Sequence, residues 1–234
     1  MEKLRIMSVF GTRPEAIKMC PLVQELANRE GIESLCCVTA QHRQMLDSVL
    51  EVFQVKPDWD LDIMTPRQTL STITSKCLTG MDEAIDALKP DMILVHGDTS
   101  TTFAGALSAF YHQVSVGHVE AGLRTYDKYS PFPEEMNRKL VSAIADLYFC
   151  PTINNKNNLL KEGITDICMP VDDDGKFYTG EEFGTGGPFS GMDTDEANPH
   201  IIEFLRERGT LVLEKKITHS YPHCWRCKHP VLFR

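Results

Sequence analysis

The sequence predicts an α/β fold for residues 1–167, followed by a small, loop-rich α+β segment over residues 168–234. Two observations carry this prediction. In the first part, short apolar runs alternate with amphipathic helical patterns, which is typical of βαβ units in a buried parallel sheet. Near residue 168 this rhythm stops and turn-forming residues become frequent. The chain is therefore expected to contain two units that join near this point.

Five apolar runs are expected to form the parallel strands, since each is short and lies between helical patterns. The predicted strands are Leu4–Phe10, Ser34–Thr39, Met92–His96, Val114–Val119 and Leu147–Cys150. Ile167–Met169 can add to the same sheet as an edge strand, because strand addition needs only apolar patterning and backbone hydrogen bonds. Loops beyond the carboxyl ends of such strands usually carry the functional residues.

The intervening patterns predict helices at Pro14–Arg29, Arg43–Phe53, Thr69–Leu88, Thr101–Tyr111, Glu134–Ala145 and Asn154–Glu162. Thr12 and Glu15 have the spacing of a capping box at the start of the first of them.

The second part follows a different pattern. Asp172–Gly175 is a turn signal, and Gly180–Gly191, with five glycines and a proline, is expected to be an extended loop. One helix is predicted with Asn198 as its N-cap, Pro199 at its first position and Gly209 after its end, and a strand can follow at 211–217.

Composition and charge exclude several classes of protein. Hydrophobic residues make up 42% and charged residues 24%, which argues against disorder, and the net charge of −9 argues against a basic nucleic-acid-binding surface. We expect no membrane span and no secretory signal, because long apolar stretches are missing. A cytoplasmic location follows, in which the eight cysteines are mostly reduced thiols or metal ligands.

The loop after the first strand can bind an anion. Phe10–Ala16 leaves a strand and opens a helix, whose N-terminus presents free N–H groups to a phosphate. Arg13 adds a guanidinium group, and Lys18 lies about one helical turn further on. The alternative is a capped helix with two solvated bases, and the residues alone leave both interpretations open.

Carboxylates follow the ends of two later strands and open a helix. Asp98 is either a functional acid or a helix N-cap. Glu120 ends an apolar run, so burial would require a partner or a raised pKa, and this makes it a candidate acid or base. Glu134 and Glu135 either join the same site or simply favour a helix N-terminus. If these groups converge with the two bases, they suit proton transfer beside a phosphorylated substrate.

Six segments, in this order, are similar to the bacterial non-hydrolysing UDP-N-acetylglucosamine 2-epimerases: FGTRPEAIKM (10–19), VTAQHRQML (38–46), VHGDTSTTFAGALSAFY (95–111), VGHVEAGLRT (116–125), YSPFPEEMNR (129–138) and PTINNKNNLLKEG (151–163). The resemblance implies a Rossmann-like domain, the first half of a glycosyltransferase-B-like fold. It also implies interconversion of UDP-N-acetylglucosamine and UDP-N-acetylmannosamine for cell-envelope polysaccharides. In that reaction the C2 proton is removed, UDP is expelled and then added back with the opposite C2 configuration, and no cofactor is needed.

The resemblance also implies roles for single residues. Arg13 and Lys18 would bind the substrate near its diphosphate. Asp98, Glu120 and Glu134 would be the catalytic carboxylates, with their individual roles open.

Gln41, Gln44 and Arg67 match positions where some members bind a second, activating substrate molecule, although an ordinary polar loop is the alternative. A UDP-sugar is the implied substrate, and a homodimer is the implied assembly. The family has a second Rossmann-like domain, with a catalytic histidine, that this sequence does not match. We therefore expect no turnover by the isolated chain.

The second part contains one C-x-x-C, formed by Cys224 and Cys227. Two thiolates supply half of a tetrahedral zinc site, and His219, His223 or His229 would have to add ligands. A pair of free thiols is the alternative, and a redox role is disfavoured because a preceding strand and a following helix are lacking.

The segments CMPVDDDGKF (168–177), DEANPHIIEFLRERGTLV (195–212) and THSYPHCWRCKHPVLFR (218–234) resemble isoleucyl-tRNA synthetase where its editing insertion returns to the catalytic domain. The resemblance implies that the C-x-x-C is half of a zinc site whose other cysteines lie elsewhere in the synthetase. Neither ATP-binding signature of class I synthetases is found, so we expect neither aminoacylation nor tRNA binding.

Three hypotheses follow for the whole chain. It is an active or complementable epimerase, a module that binds a UDP-sugar or docks to an intact epimerase, or a non-functional chimera of two genes. The non-functional chimera is favoured for the chain as it stands. The best functional label is epimerase-like, because that part has the larger core and most of the first domain's site residues.

Overall fold

A computed structural model of the chain describes residues 3–40, 43–170, 172, 176–177, 187–209 and 211. In this part of the chain the strands form one seven-stranded parallel sheet in the order β3-β2-β1-β4-β5-β6-β7. The strands are β1 Leu4–Phe10, β2 Ile32–Val38, β3 Trp59–Asp60, β4 Met92–His96, β5 Ser115–Val119, β6 Leu147–Phe149 and β7 Ile167–Cys168. The predicted α/β fold class is confirmed.

Helices connect the strands and cover both faces of the sheet. The helices are α1 Arg13–Ala27, α2 Arg43–Phe53, α3 Leu70–Leu88, α4 Ser100–Tyr111, α5 Glu134–Ile144, α6 Ile153–Lys161 and α7 Thr194–Glu207. A short 3-10 helix lies at Gly187–Phe189. The elements of the first part lie within two residues of the predicted bounds at either end, apart from β3, and β1, β4 and α2 match them fully.

The core divides into two layers because the side chains of β1 alternate between the faces. Ile6 and Phe10 pack with α1 and α2 on one face. Met7 and Val9 pack with α3, α4 and α5 on the other. The central strands are therefore buried on both sides, as continuous apolar runs predict.

The two edges of the sheet differ from the prediction in different ways. β3 was not predicted, because its two residues form no apolar run; it pairs with β2 through Cys37 and Trp59. The predicted edge strand near residue 167 is confirmed, since β7 pairs with β6 through Tyr148 and Ile167. The sheet thus extends just past the predicted boundary between the two parts.

The predicted start of the C-terminal helix is wrong. α7 begins at Thr194, and its N-cap is Asp193, whose carboxylate accepts a hydrogen bond from the N–H of Glu196 at 2.7 Å. Asp193 thus satisfies a free N–H group at the helix start, five residues before the predicted N-cap Asn198. Because the helix begins earlier than predicted, Pro199 lies inside it. Gly209 follows the helix end as expected and has a φ of +68°.

The cysteine thiols of the described residues are free, which agrees with the expected reduced state. Five are buried and Cys168 is partly buried. Burial raises the pKa of the Cys20 thiol to about 11, and burial also raises the pKa of Cys77 and Cys150 to about 12. These thiols are therefore packing groups rather than nucleophiles.

No helix within the described ranges is long and apolar enough to cross a membrane.

We expect Met81→Ala to lower the free energy of unfolding by about 2–5 kcal/mol, because it leaves a cavity between α3 and the sheet. Met81 is fully buried in the second core layer. Urea unfolding at pH 7 measures the loss. Met45→Ala is the matched control, since Met45 is 49% exposed on α2 and its truncation should cost well under 1 kcal/mol. Equal losses in the two variants would contradict the assigned core.

Candidate functional site

The candidate site lies where the strand order reverses. β1 pairs with β2 on one side and with β4 on the other, so the chain leaves the two central strands in opposite directions. In an open parallel sheet this switch point opens a crevice beyond the carboxyl ends of the strands. The loops after β1, β4 and β5 border this crevice and carry the residues singled out in the sequence.

Glu15 joins two of these loops. Its Oε2 accepts hydrogen bonds from the N–H groups of Gly11 and Thr12 at 2.9 and 2.7 Å. Its Oε1 accepts hydrogen bonds from the hydroxyls of Thr99 and Thr102 at 2.7 and 3.3 Å. The predicted bond from Glu15 back to the N-cap Thr12 is confirmed, but the same buried carboxylate also holds the first turn of α4.

Gly11 lies at a close approach of the chain. A Cβ at this position would lie 1.9 Å from Thr39 Oγ1 and 2.7 Å from Thr101 Oγ1. Those two hydroxyls are hydrogen-bonded to each other at 2.8 Å. Only glycine fits here without displacing both threonines.

Arg13 and Lys18 are exposed on the first turns of α1, at the crevice edge of the sheet. Lys18 Nζ lies 2.7 and 2.6 Å from the two carboxylate oxygens of Glu120. The structure therefore brings together a base and a candidate acid that are 102 residues apart.

Glu120 directly follows β5 and has a φ of +62°, a left-handed conformation that is costly for a residue with a side chain. His96 Nε2 approaches Glu120 Oε2 to 3.0 Å without the alignment of a hydrogen bond. The close imidazole of His96 and the ammonium of Lys18 hold the pKa of the Glu120 carboxyl at about 2, although burial acts to raise it. The sequence predicted that Glu120 would have either a partner or a raised pKa. The structure gives it two partners, Lys18 and His96, and its pKa is lowered rather than raised.

Asp98 is fixed by α5 and does not cap α4. The N-cap is Thr99, whose hydroxyl accepts a hydrogen bond from the N–H of Thr102 at 3.2 Å. Arg138 Nη2 donates to Asp98 Oδ2 at 2.5 Å, and Asn137 Nδ2 donates to the Asp98 carbonyl at 2.8 Å. The capping interpretation of Asp98 is therefore wrong, and its side chain pairs with Arg138 instead.

Glu134 and Glu135 both lie in the first turn of α5 but have different surroundings. Glu135 is fully buried and accepts hydrogen bonds from the N–H groups of Thr125 and Tyr126 and from Arg138. Burial alone would raise its pKa, but these donors hold the pKa of Glu135 below its usual range. Glu134 Oε2 is buried and has no hydrogen-bond partner within the described part of the chain. The carboxylate left available for a ligand is therefore Glu134, and Glu135 is a support.

His118, next to these groups on β5, is fully buried, and its Nε2 lies 2.7 Å from the carbonyl oxygen of Gly97. A carbonyl oxygen only accepts, so His118 donates from Nε2. Burial lowers the pKa of His118 to about 4. It thus links the ends of β4 and β5 without carrying charge at neutral pH.

The residues implied for a second substrate molecule lie in the segments after β2 and before α3. Gln44 is exposed in the first turn of α2, and Arg67 is exposed in the loop before α3 with a φ of +58°. The N–H of Arg43 lies 3.3 Å from Met64 Sδ, so the two segments are neighbours. Gln41 falls outside the described residues.

Cys224 and Cys227 also fall outside the described residues, as do the histidines named with them. Among the residues that the structure describes, no group of three or more His, Cys, Asp or Glu side chains is placed to hold a metal ion.

Sequence reasoning missed three supports of the site. His96, Arg138 and the second role of Glu15 depend on contacts between residues 24, 40 and 87 positions apart in the chain. His96 and Arg138 lie inside quoted motifs, which was the one signal available for them.

Comparison with known families identifies the family of this chain. The family model for UDP-N-acetylglucosamine 2-epimerase matches residues 24–172. The chain belongs to the UDP-N-acetylglucosamine 2-epimerase family.

Curated and solved members of this family support the assignment. The UDP-N-acetylglucosamine 2-epimerase of Bacillus subtilis is 65% identical over 162 residues, which is 69% of this chain and 43% of that protein. The epimerase of Neisseria meningitidis, solved with UDP-GlcNAc bound, superposes with a TM-score of 0.70 at 50% identity over 72% of this chain and 46% of its own. The enzyme of Methanocaldococcus jannaschii, solved with UDP-GlcNAc and UDP, gives a TM-score of 0.67 at 36% identity over 72% of this chain and 47% of its own.

The chain spans less than half the length of these relatives. The epimerase family match ends at residue 172, close to the predicted join, and lends no support to the synthetase resemblance of the second part.

We expect Arg138→Met to lower the free energy of unfolding by about 3 kcal/mol, because it leaves the buried Glu135 without its cation. Urea unfolding at pH 7 measures the loss. Arg29→Met is the control, since Arg29 pairs with Glu25 at the surface and its removal should cost under about 1 kcal/mol. A loss for Arg138→Met no larger than the control's would show that the buried pair is absent in solution.

We expect the stability of the chain to fall between pH 6.5 and pH 4 in part through His118. In this range the unfolded state binds a proton that the native state, with its pKa of about 4, does not bind. The full effect is about 3 kcal/mol, present above the unfolded pKa and lost as the pH falls through the folded one.

The His118→Asn variant lacks this linkage. Its unfolding free energy should change less with pH than that of the wild type, as measured by urea unfolding at pH 7 and pH 4.5. Comparing the two pH values within each variant removes the cost of the substitution itself. Parallel pH dependences would contradict a neutral, buried His118.

Proposed function

We propose that this domain forms one wall of a UDP-N-acetylglucosamine 2-epimerase site and binds the nucleotide sugar beside the loops after β1, β4 and β5. The observation that carries the proposal is the convergence of these loops. Glu120 contacts Lys18 and His96, and the helix that presents Glu134 also holds Asp98. Three carboxylates from separate segments thus border one crevice with an exposed cation.

The chemistry of an epimerase requires these types of residue. A carboxylate takes the C2 proton, the C–H electron pair forms the C1–C2 double bond, and the C1–O bond electrons leave with UDP. UDP then adds back to C1, while a carboxylic acid on the other face of the ring returns a proton to C2. Asp98, Glu120 and Glu134 are proposed as this set, and their individual roles are left open.

The diphosphate is proposed to lie against the N-terminal end of α1. The N–H groups of Gly11 and Thr12 are taken by Glu15, so the helix end contributes mainly its positive potential, and Arg13 and Lys18 add charged donors. Both side chains are exposed. The epimerases of Neisseria meningitidis and Methanocaldococcus jannaschii, both solved with UDP-GlcNAc, support a nucleotide sugar as the ligand.

The isolated chain is proposed to bind weakly and not to turn over. The relatives contain as much chain again as this one, and a second domain would close the crevice and hold the leaving UDP. Exclusion of water and positioning of this kind lower reaction barriers by several kcal/mol, about 7 or more in favourable cases. Activity is therefore proposed to need the part of the relatives that these residues do not match.

Two further features of the family, a second nucleotide-sugar site and a homodimer, are proposed for this chain. Gln44 and Arg67 lie on neighbouring exposed segments, which suits a second nucleotide sugar at the rim of the sheet. A homodimer is the proposed assembly, and the exposed aromatic pair Phe110 and Tyr111 at the end of α4 is available for such a contact. No cofactor is proposed for the epimerase part, and zinc at Cys224 and Cys227 stays a prediction.

A synthetase function has no observation in its favour. The 168–234 segment is proposed as a separate unit, similar to an isoleucyl-tRNA synthetase fragment, that contributes neither aminoacylation nor editing. Its described helix contacts the first part at Arg208, which bonds to Glu25 of α1.

We expect UDP to raise the melting temperature of the purified chain. A ligand that binds only the native state adds about 1.4 kcal/mol to its stability at ten times Kd. Thermal melts with and without millimolar UDP or UDP-N-acetylglucosamine measure the effect.

Arg13→Met should remove most of the UDP-induced shift, because it removes a proposed diphosphate contact. Arg29→Met, after the opposite end of α1, should keep it. A cooperative melt that UDP leaves unchanged would contradict the proposed half-site.

A further inference from the structure

Glu120 is held by two bases of different kinds. Lys18 reaches it from α1 and contacts both carboxylate oxygens, whereas His96 reaches one oxygen from the end of β4. The Lys18 side chain is 50% exposed, and the His96 side chain is 4% exposed. Lysine is a point charge on a flexible stem and can exchange partners freely, while a buried imidazole cannot move without disturbing the packing around it.

The position of Lys18 gives it a second natural partner. It lies on the exposed side of α1, near the N-terminal end where the proposed function places the substrate diphosphate. An ammonium group has three N–H donors, and two of them point at the Glu120 carboxylate here, so only one is left for a phosphate. The diphosphate of a nucleotide sugar carries two negative charges and the carboxylate carries one, so a bound diphosphate would attract Lys18 away from Glu120.

We propose that Lys18 masks Glu120 in the unliganded protein and transfers to the diphosphate when the nucleotide sugar binds, which frees Glu120 to accept a proton. This inference rests on the proposed function and deepens it, since it couples arrival of the substrate to activation of the base. Lys18 then also balances the charge on UDP as the C1–O bond breaks.

The direction of the effect follows from the charges around Glu120. A carboxylate paired with two bases is a weak base, because its charged form is stabilised. Removing one cation raises its proton affinity. In the described part of the chain, the groups that act on Glu120 are Lys18 and His96, and His118 on β5 is the further ionisable group that senses the Glu120 charge.

His96 has the complementary task of keeping Glu120 in place. After Lys18 leaves, the imidazole at 3.0 Å still faces one carboxylate oxygen. The left-handed backbone of Glu120 also restricts where its side chain can point. Both features limit the movement of the freed carboxylate.

The test is an NMR titration of the Glu120 carboxyl carbon in the full chain labelled with 13C-glutamate, with its signal assigned by its loss in Glu120→Gln. We expect wild-type Glu120 to stay ionised from pH 7 down to about pH 4. In Lys18→Gln its titration midpoint should rise by about one pH unit, a tenfold change in the acid dissociation constant. Lys18→Arg should keep the low midpoint, and Lys161→Gln, on the exposed end of α6, should not alter it.

The same titration with saturating UDP distinguishes transfer of Lys18 to the diphosphate from a direct effect of the phosphate charge on the Glu120 midpoint. If Lys18 transfers, the midpoints of wild type and Lys18→Gln converge with UDP bound, because neither protein then has the lysine on Glu120. If the gap between the two persists in full while the amides of 11–18 respond to UDP, the inference is overturned and the proposed function stands. If those amides do not respond to UDP, the proposed function is overturned, and the transfer step with it. A midpoint in Lys18→Gln equal to that of the wild type without ligand overturns the masking itself.

Discussion

The buried carboxylate of Glu15 is the interaction on which the arrangement of the site depends. A carboxylate in a dry interior needs donors for both oxygens, and this one takes two backbone N–H groups from the loop after β1 and two hydroxyls from the start of α4. Those two segments border the crevice at which the strand order reverses. One side chain therefore sets the spacing between the proposed phosphate-binding turn and the turn that carries Asp98.

Local signals in the sequence were sufficient for most of the first part. Continuous apolar runs predicted the central strands, and the Thr12–Glu15 spacing predicted one half of the Glu15 network. The carboxylates at strand ends were also found, because parallel strands bring their carboxyl ends to one edge. The two site residues that the sequence analysis missed share a cause. Arg138 and His96 acquire their roles through partners that lie 40 and 24 residues away in the chain, and no local pattern indicates such contacts.

The errors at short elements have a different origin. β3 has two residues, and a pair of residues carries no periodicity to detect. At α7, two residues with good capping chemistry stand five positions apart, and the structure uses Asp193, which also lies opposite Lys176 in an isolated bridge. Asp98 and Thr99 present the same choice at α4, where the threonine caps and the aspartate turns to Arg138. Propensity alone does not rank neighbouring cap residues.

The shortness of β3 and β7 matters beyond topology. Each forms an outer edge of the sheet and consists of two residues. A foreign strand that adds to a sheet pairs with the free backbone N–H and C=O groups along the outermost strand. β3 and β7 each offer such groups on only two residues. A domain whose interior strands are this apolar would otherwise be a template for aggregation. Short edge strands of this kind are one of the devices by which native proteins limit edge-to-edge pairing.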